Sequence, residues 1–350
     1  MPDSMGFLDA VGGLPEQLAD AHRAAGEALD RAPLPAPEAV QSIVVLGMGG
    51  SGVAGDVLAA VANSTLPVPV VVLKQLRTPR FVGSGTLVFA VSYSGDTDET
   101  VQMATGAFDA GAHVVAVSRG GALEALAQAR GGVHVRCPDG YLPRAAVGAL
   151  LAPLFVTLER VGLLPDAADW LDRAGRQLAA RRDKCRPDVD GPANPAREIA
   201  RRIGTTIPIF YGGGALGAVA AQRWKCDVNE NAKAPAFWNA YPELDHNEIC
   251  GWGQHGDVTR QVFTLVELRH GFEHEQLDRR FALTRGLIEE ALAQVLEVRA
   301  EGDGRLAQLL DLMYIGDWAS CYLALENDVD PGPIDAIVAL KAALAPSLGG

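Results

Sequence analysis

The chain has 350 residues, 48% hydrophobic and 21% charged, a composition that excludes a disordered protein and leaves room for two domains with their own cores. Thirty Lys and Arg stand against 43 Asp and Glu, for a net charge of −13. That balance argues against nucleic acid or an anionic membrane as the main partner, although a site can still be locally positive.

Pro15 to Ala32 carries the apolar stripe of a helix, broken by the prolines from Pro33 to Pro37. Ser42 to Leu46 is a short β-branched run of the kind found in buried parallel strands. It leads through GMGGSGVAGD (Gly47 to Asp56) into an Ala-rich helix, Val57 to Ala62. A strand, a glycine-rich turn and a helix together offer backbone N–H groups and a positive helix end to an anion. Further strands are expected at Val68 to Leu73 and Leu87 to Val91. The second of these runs into SYSGDTDET (Ser92 to Thr100) and a helix from Glu99 to Ala110. A strand at His113 to Val117, a helix near Ala122 to Ala129 and a strand at Val133 to Arg136 follow, then Pro143-Arg144 and the apolar helix Ala145 to Leu158. Strands alternating with helices indicate an α/β fold, a parallel sheet covered on both faces.

Asp166 to Asp183 reads as a charged helical connector and Arg186 to Ala196 as a linker. The pattern then restarts. Ile207 to Tyr211 is a strand entering GGGALGAVA; Val262 to Leu268 and Val295 to Arg299 are strands, with a helix at Phe281 to Gln294 between them. Leu306 to Leu325 is a long helix, and Pro331 to Leu344 a last one carrying Lys341. The chain divides into a helical segment (1–40), a first α/β unit (41–160), a connector (161–203), a second unit (204–302) and C-terminal helices (303–350), as an imperfect duplication.

Between the apolar segments of the second unit lies CDVNENAKAPAFWNAYPELDHNE, Cys226 to Glu248, with Asp227, Glu230, Glu243, Asp245, His246 and Glu248 in one run. Carboxylates and an imidazole among Phe, Trp and Pro suit proton transfer. The plain alternative is a solvated loop. GMGGSG also fits GxGxxG, but a dinucleotide site wants an acidic residue ending the second strand, and this strand ends in Leu73-Lys74-Gln75. Ser92, Ser94, Thr97 and Thr100 place four hydroxyls within nine residues at a strand's carboxyl end. Caps and turns account for one or two of them, and an anion such as phosphate for the set. The five cysteines are odd in number and lack CxxC spacing, so neither a disulfide framework nor structural zinc is expected. No leader pattern opens the sequence and no apolar run reaches the roughly 18 residues of a membrane span, so a cytoplasmic protein is expected.

GMGGSGVAGD, SYSGDTDET, LPRAA and NENAKAP…ELDHNE, in that order, resemble the bifunctional phosphoglucose/phosphomannose isomerases, a branch of the sugar isomerase (SIS) domain family. The resemblance runs from about Ser42 to Leu344. It implies two tandem SIS domains of flavodoxin-like, doubly wound topology, each with a five-stranded parallel sheet, and a homodimer with shared active sites. It also implies an aldose–ketose isomerase that uses no cofactor and no metal. Gly50, Ser51, Ser92, Ser94 and Thr97 would bind the phosphate of a sugar 6-phosphate. Arg144 would lie by C1 and C2, and Glu230 would carry the proton between them. His246 of the neighbouring subunit and Lys341 would assist ring opening. Glu243 and Glu248 remain alternatives to Glu230. Relatives with this pattern carry threonine where this chain has Gly332 in Asp330-Pro331-Gly332-Pro333, which makes mannose 6-phosphate turnover the less secure activity. The competing function is a non-catalytic SIS module that binds a sugar phosphate and regulates a partner.

Overall fold

A computed structural model describes residues 3–344. Helices α1 (Phe7–Gly12) and α2 (Leu14–Leu29) precede the first α/β unit. That unit comprises β1 (Ser42–Leu46), α3 (Gly49–Ala62), β2 (Val70–Leu73), β3 (Thr86–Val91), α4 (Asp98–Asp109), β4 (His113–Ser118), α5 (Gly121–Arg130), β5 (Val133–Arg136) and α6 (Val147–Val161). The connector holds α7 (Ala167–Cys185) and α8 (Pro195–Ile203). The second unit comprises β6 (Ile207–Gly213), α9 (Gly214–Asp227), a π-helical turn (Val228–Ala232), β7 (Phe237–Tyr241), α10 (Gly256–Val262), β8 (Phe263–Arg269), α11 (Glu275–Ile288) and β9 (Gln294–Arg299). Two helices follow, α12 (Arg305–Glu326) and α13 (Asp335–Leu344).

Both sheets are parallel, with the orders β2-β1-β3-β4-β5 and β7-β6-β8-β9 among the described residues. In register, Leu46 faces Leu73 on one side and Ala90 on the other. Every residue of β3 is buried, which is why its sequence is an unbroken apolar run and not an alternating one. Order 2-1-3-4-5 is the doubly wound arrangement, with its switch point between β1 and β3.

Among the described residues the second sheet has four strands, not the five that the resemblance implies. After β9 the chain leaves the sheet for α12, whose 22 residues are apolar on nearly every side. Such a helix belongs at the centre of a molecule. It packs against α7, α8 and α9, and one core runs through both units, joining Phe89 and Phe155 to Trp224, Tyr314 and Trp318. Two further expectations are corrected. The helix placed at Phe281 to Gln294 is Glu275–Ile288, because His274 caps it, its ring nitrogen accepting from the Gln276 N–H at 3.2 Å. Gln294 already belongs to β9. The FWNAY segment of the polar run is an edge strand, not a loop. Among the described residues no helix is long and apolar enough to cross a membrane.

The join between α9 and α12 depends on a missing side chain. A β-carbon on Gly316 would lie 2.5 Å from Trp224 Nε1, and that indole donates to Leu312 O at 2.6 Å. Trp224 is 1% exposed and has nowhere to retreat. Gly316→Ala is therefore expected to cost about 1–3 kcal/mol through overpacking. Urea unfolding checks this; an unchanged midpoint would show that α9 and α12 are not held this way.

Candidate active site

Two turns meet at the carboxyl ends of β1 and β3. The Tyr93 N–H donates to Ser51 Oγ at 3.4 Å, joining the serine-rich turn to the first turn of α3. Ser92 Oγ lies 2.9 Å from Thr97 Oγ1 and 3.4 Å from Ser94 Oγ. The N–H groups of Gly95 and Asp96 donate to Ser92 Oγ and Ser94 Oγ, each at 3.2 Å. Ser92 is buried, whereas Ser51, Ser94 and Thr97 are half-buried and reach the crevice. Hydroxyls that bond one another can turn to an incoming oxygen, and the N-termini of α3 and α4 both point here. Thr100 does not join the cluster; it is buried inside α4.

Gly50 links these turns to the charged residues, since a β-carbon on it would lie 3.5 Å from Pro143 O and 4.0 Å from Arg144 Cα. The Arg144 guanidinium donates to Glu230 O (3.3 Å), Asn231 Oδ1 (2.5 Å), Pro331 O (3.2 Å) and Gly332 O. It also sits 4.3 Å from the centre of the Phe7 ring. Burial lowers its pKa, and the nearby Glu230 charge opposes that shift.

The Glu230 carboxylate lies 3.9 Å from Arg144 Nε, with its side chain 30% exposed. It accepts no hydrogen bond from the described residues, so its lone pairs face the crevice. The π-helical turn sets it there, inserting extra backbone at the end of α9, a feature common at functional sites. The next residue points inward, where Asn231 Nδ2 donates to Ser320 Oγ on α12 at 2.9 Å. Lys233 closes the turn, donating to Asn231 O (3.1 Å) and Asp330 O (2.7 Å). Beneath it, Arg223 donates to Arg144 O at 3.1 Å and to Asp317 Oδ1 at 2.9 Å, and lies 2.9 Å from Asp227 Oδ2. Burial lifts the Asp227 carboxyl well above the ordinary carboxylate range, against the pull of Arg223, and the neighbouring Asp317 adds to the rise.

The alternatives to Glu230 are otherwise engaged. Glu243 is exposed and accepts from Asn247 Nδ2 at 2.9 Å. Glu248 accepts from Tyr211 Oη and from Asn239 Nδ2. Contacts thus lead from Ser92, Ser94 and Thr97 through Ser51 and Gly50 to Arg144 and on to Glu230. His246 is exposed on a short 3₁₀ turn, Glu243–His246, with no hydrogen bond or ion pair to Glu230 or Arg144 among the described residues. Lys341 lies on α13, which is exposed along its whole length. At Gly332 a β-carbon would fall 2.8 Å from Met5 Cβ, so the N-terminal segment fills the space of a side chain there. Arg223, Asn231 and Asp317 were not singled out from sequence. Arg223 and Asp227 do stand four apart, on one helix face.

Residues 192–344 match the family model for the bacterial phospho-glucose isomerase C-terminal SIS domain. The bifunctional phosphoglucose/phosphomannose isomerase of Caldicellulosiruptor bescii is 33% identical over 88% of this chain and 91% of its own. That of Aquifex aeolicus is 30% identical over 87% of this chain and 90% of its own. In fold, the C-terminal domain of glucosamine-fructose-6-phosphate aminotransferase from Francisella tularensis superposes with a TM-score of 0.68 at 16% identity, covering 94% of this chain and 98% of that one.

The raised Asp227 pKa has a defined consequence for stability. A carboxyl whose pKa is higher folded than unfolded favours the native state at low pH and loses that contribution as pH rises through the folded value. Asp227→Asn cannot ionise and escapes the loss. Its urea midpoint relative to wild type is expected to climb as pH rises from 3.8 upward. A gap independent of pH would show that Asp227 is ionised throughout.

Proposed function

The chain belongs to the bifunctional phosphoglucose/phosphomannose isomerase family, and on that footing we propose that it interconverts glucose 6-phosphate and mannose 6-phosphate with fructose 6-phosphate through an enediol. The observation that supports this reading is the chain of contacts that joins the hydroxyl turns to Arg144 and Glu230. A group of neutral hydroxyls suited to an anion leads through Gly50 to a cation and its ion-pair partner, a carboxylate that accepts no hydrogen bond from the described residues. A module that only senses a sugar phosphate needs the cradle but not the Arg144–Glu230 pair.

In this reading the phosphate sits among Ser51, Ser92, Ser94, Thr97 and the backbone at Gly50. The other end of the open-chain sugar lies under Glu230. The carboxylate takes the proton from C2 of the aldose, and its electron pair becomes the C1=C2 bond of the enediol. The same carboxylate returns the proton to C1, while the hydroxyl proton passes from O2 to O1. Arg144 is held by fixed carbonyls and is ready for the charge that develops on oxygen. Glucose and mannose 6-phosphates differ only at C2, so they share this enediol. With no hydroxyl at Gly332, discrimination at C2 and C3 falls to other groups of the crevice.

The protein acts as a homodimer in which His246 and Lys341 serve ring opening, with His246 entering the site of the opposite subunit. Support comes from the edge strand β7, where Phe237 and Trp238 are 54% and 37% exposed close to the His246 turn. Large apolar residues on an exposed sheet edge favour burial against another chain.

Two experiments test these statements. Fructose 6-phosphate turned over in deuterated water should give glucose 6-phosphate carrying deuterium at C2. Glu230→Gln should lower kcat by about 10²–10⁴-fold with little change in KM. Near-normal turnover in that variant would move the base elsewhere. For the dimer, Glu230→Gln and His246→Ala subunits are refolded together. Half of randomly paired dimers are mixed, each with one intact site of two, so about a quarter of wild-type activity should return. No recovery despite demonstrated mixing would place His246 in its own chain's site or in none.

A further inference from the structure

Among the described residues the second sheet repeats the first four strands of the first in order, β7-β6-β8-β9 standing where β2-β1-β3-β4 stand. Each unit therefore has its own topological switch point, where open parallel sheets place a ligand crevice. The helices that open onto them match as well. α3 starts at Gly49 with φ 51°, and α9 starts at Gly214 with φ 60°, both in the left-handed region where glycine is favoured. Counting six residues back from the first residues of α4 and α11 gives Ser92 and Arg269; two back gives Asp96 and Glu273. Where the first crevice has hydroxyls, the second has an ion pair.

That ion pair is built like a ligand in its site. Arg269 is 4% exposed, and the Glu273 side chain 8%. The Glu273 carboxylate receives Arg269 Nε at 3.1 and 2.9 Å, Arg269 Nη2 at 2.8 Å and the His270 backbone N–H at 3.0 Å. Gly213 forms the wall behind it, since a β-carbon there would lie 3.4 Å from Glu273 Oε1. His270 Nε2 lies 2.9 Å from Gly213 O and holds that wall in place. A guanidinium fork, a backbone N–H and a glycine wall around two oxygens form the kind of cradle in which proteins hold phosphate.

We infer that the second crevice is a phosphate-type anion site occupied by the chain's own Glu273, which keeps phosphate monoesters out of it and leaves one phosphate site per chain. The remaining partners of Arg269 do not replace this carboxylate. Asp278, to which Nη2 also donates at 2.8 Å, is 78% exposed, and Glu297 stands off at 3.8 Å. Arg305, stacked 5.1 Å from the Phe272 ring centre, adds positive charge beside the turn. Removing the Glu273 carboxylate leaves a buried guanidinium short of its main acceptor, which a doubly charged oxyanion satisfies.

The count rests on the proposed role of the first crevice; the occupied second site does not. Inorganic phosphate is titrated calorimetrically into wild type, Glu273→Ala, and Glu273→Ala combined with Ser94→Ala and Thr97→Ala. The expected stoichiometries per chain are one, two and one. Glu273→Ala should also melt lower than wild type in chloride and regain stability in phosphate. If it does not fold in chloride, recovery on refolding in phosphate reports the same site. One phosphate in Glu273→Ala with no phosphate-dependent recovery overturns the inference, as do two in wild type. None in wild type with one in Glu273→Ala would instead refute the first-crevice reading and leave this one standing.

Discussion

The crevice depends on how a single guanidinium is tethered. Arg144 comes from the turn before α6, Glu230 and Asn231 from the π-helical turn after α9, and Pro331 and Gly332 from the segment before α13. Segments separated by 86 to 188 residues are thus drawn to one planar cation by their carbonyl oxygens. Arginine suits this because its donors are fixed in a fork that serves both other segments at once, whereas a lysine ammonium is a single point charge without that geometry. A half-buried cation bonded mainly to neutral carbonyls keeps most of its charge uncompensated, and the cost of burying it is offset only within the assembled fold. The same tether that joins the two units therefore places the positive charge beside the Glu230 carboxylate.

Beneath Arg144 the support is also polar. Arg223 donates to the Arg144 carbonyl and to the buried Asp317 and pairs ionically with the buried Asp227, and Asn231 reaches Ser320 on α12. These groups lie at the centre of an otherwise apolar core shared by both units. A buried polar network of this kind favours one arrangement of α9 against α12, and hence the outward path of the π-helical turn. The duplicated units have in turn diverged at their switch points. The first keeps its crevice lined with uncharged donors, and the second closes its own with an internal carboxylate.

The parts of this arrangement legible in the sequence are those written locally. β-branched runs such as SIVVL and LVFAV are buried parallel strands because both their faces are covered. The hydroxyl cluster is encoded within six residues, Ser92 to Thr97, and its geometry follows from a strand ending where a helix begins. What depends on long-range contact was not legible. FWNAY looks like a loop because its pairing partner, β6, is distant in sequence and its edge position leaves Phe237 and Trp238 exposed. The start of α11 is hidden in the sequence because its cap is a histidine, which is not among the preferred capping residues. Asn231 reads as one more polar residue of the motif, and only its bond to Ser320 reveals its role. His246 lies within a recognisable motif and Lys341 on the last helix, yet in the folded chain both are exposed and neither bonds Glu230 among the described residues. Proximity in a motif does not carry over to proximity in space.

The central claim is that the hydroxyl cradle and the Arg144–Glu230 pair hold opposite ends of one substrate. The most direct measurement is a crystal structure with sorbitol 6-phosphate, an open-chain sugar phosphate with no carbonyl to turn over. The account places its phosphate within hydrogen-bonding distance of Ser51, Ser92, Ser94 and Thr97, with C1 and C2 between the Arg144 guanidinium and the Glu230 carboxylate. A phosphate bound elsewhere, or a chain directed away from Glu230, would contradict it.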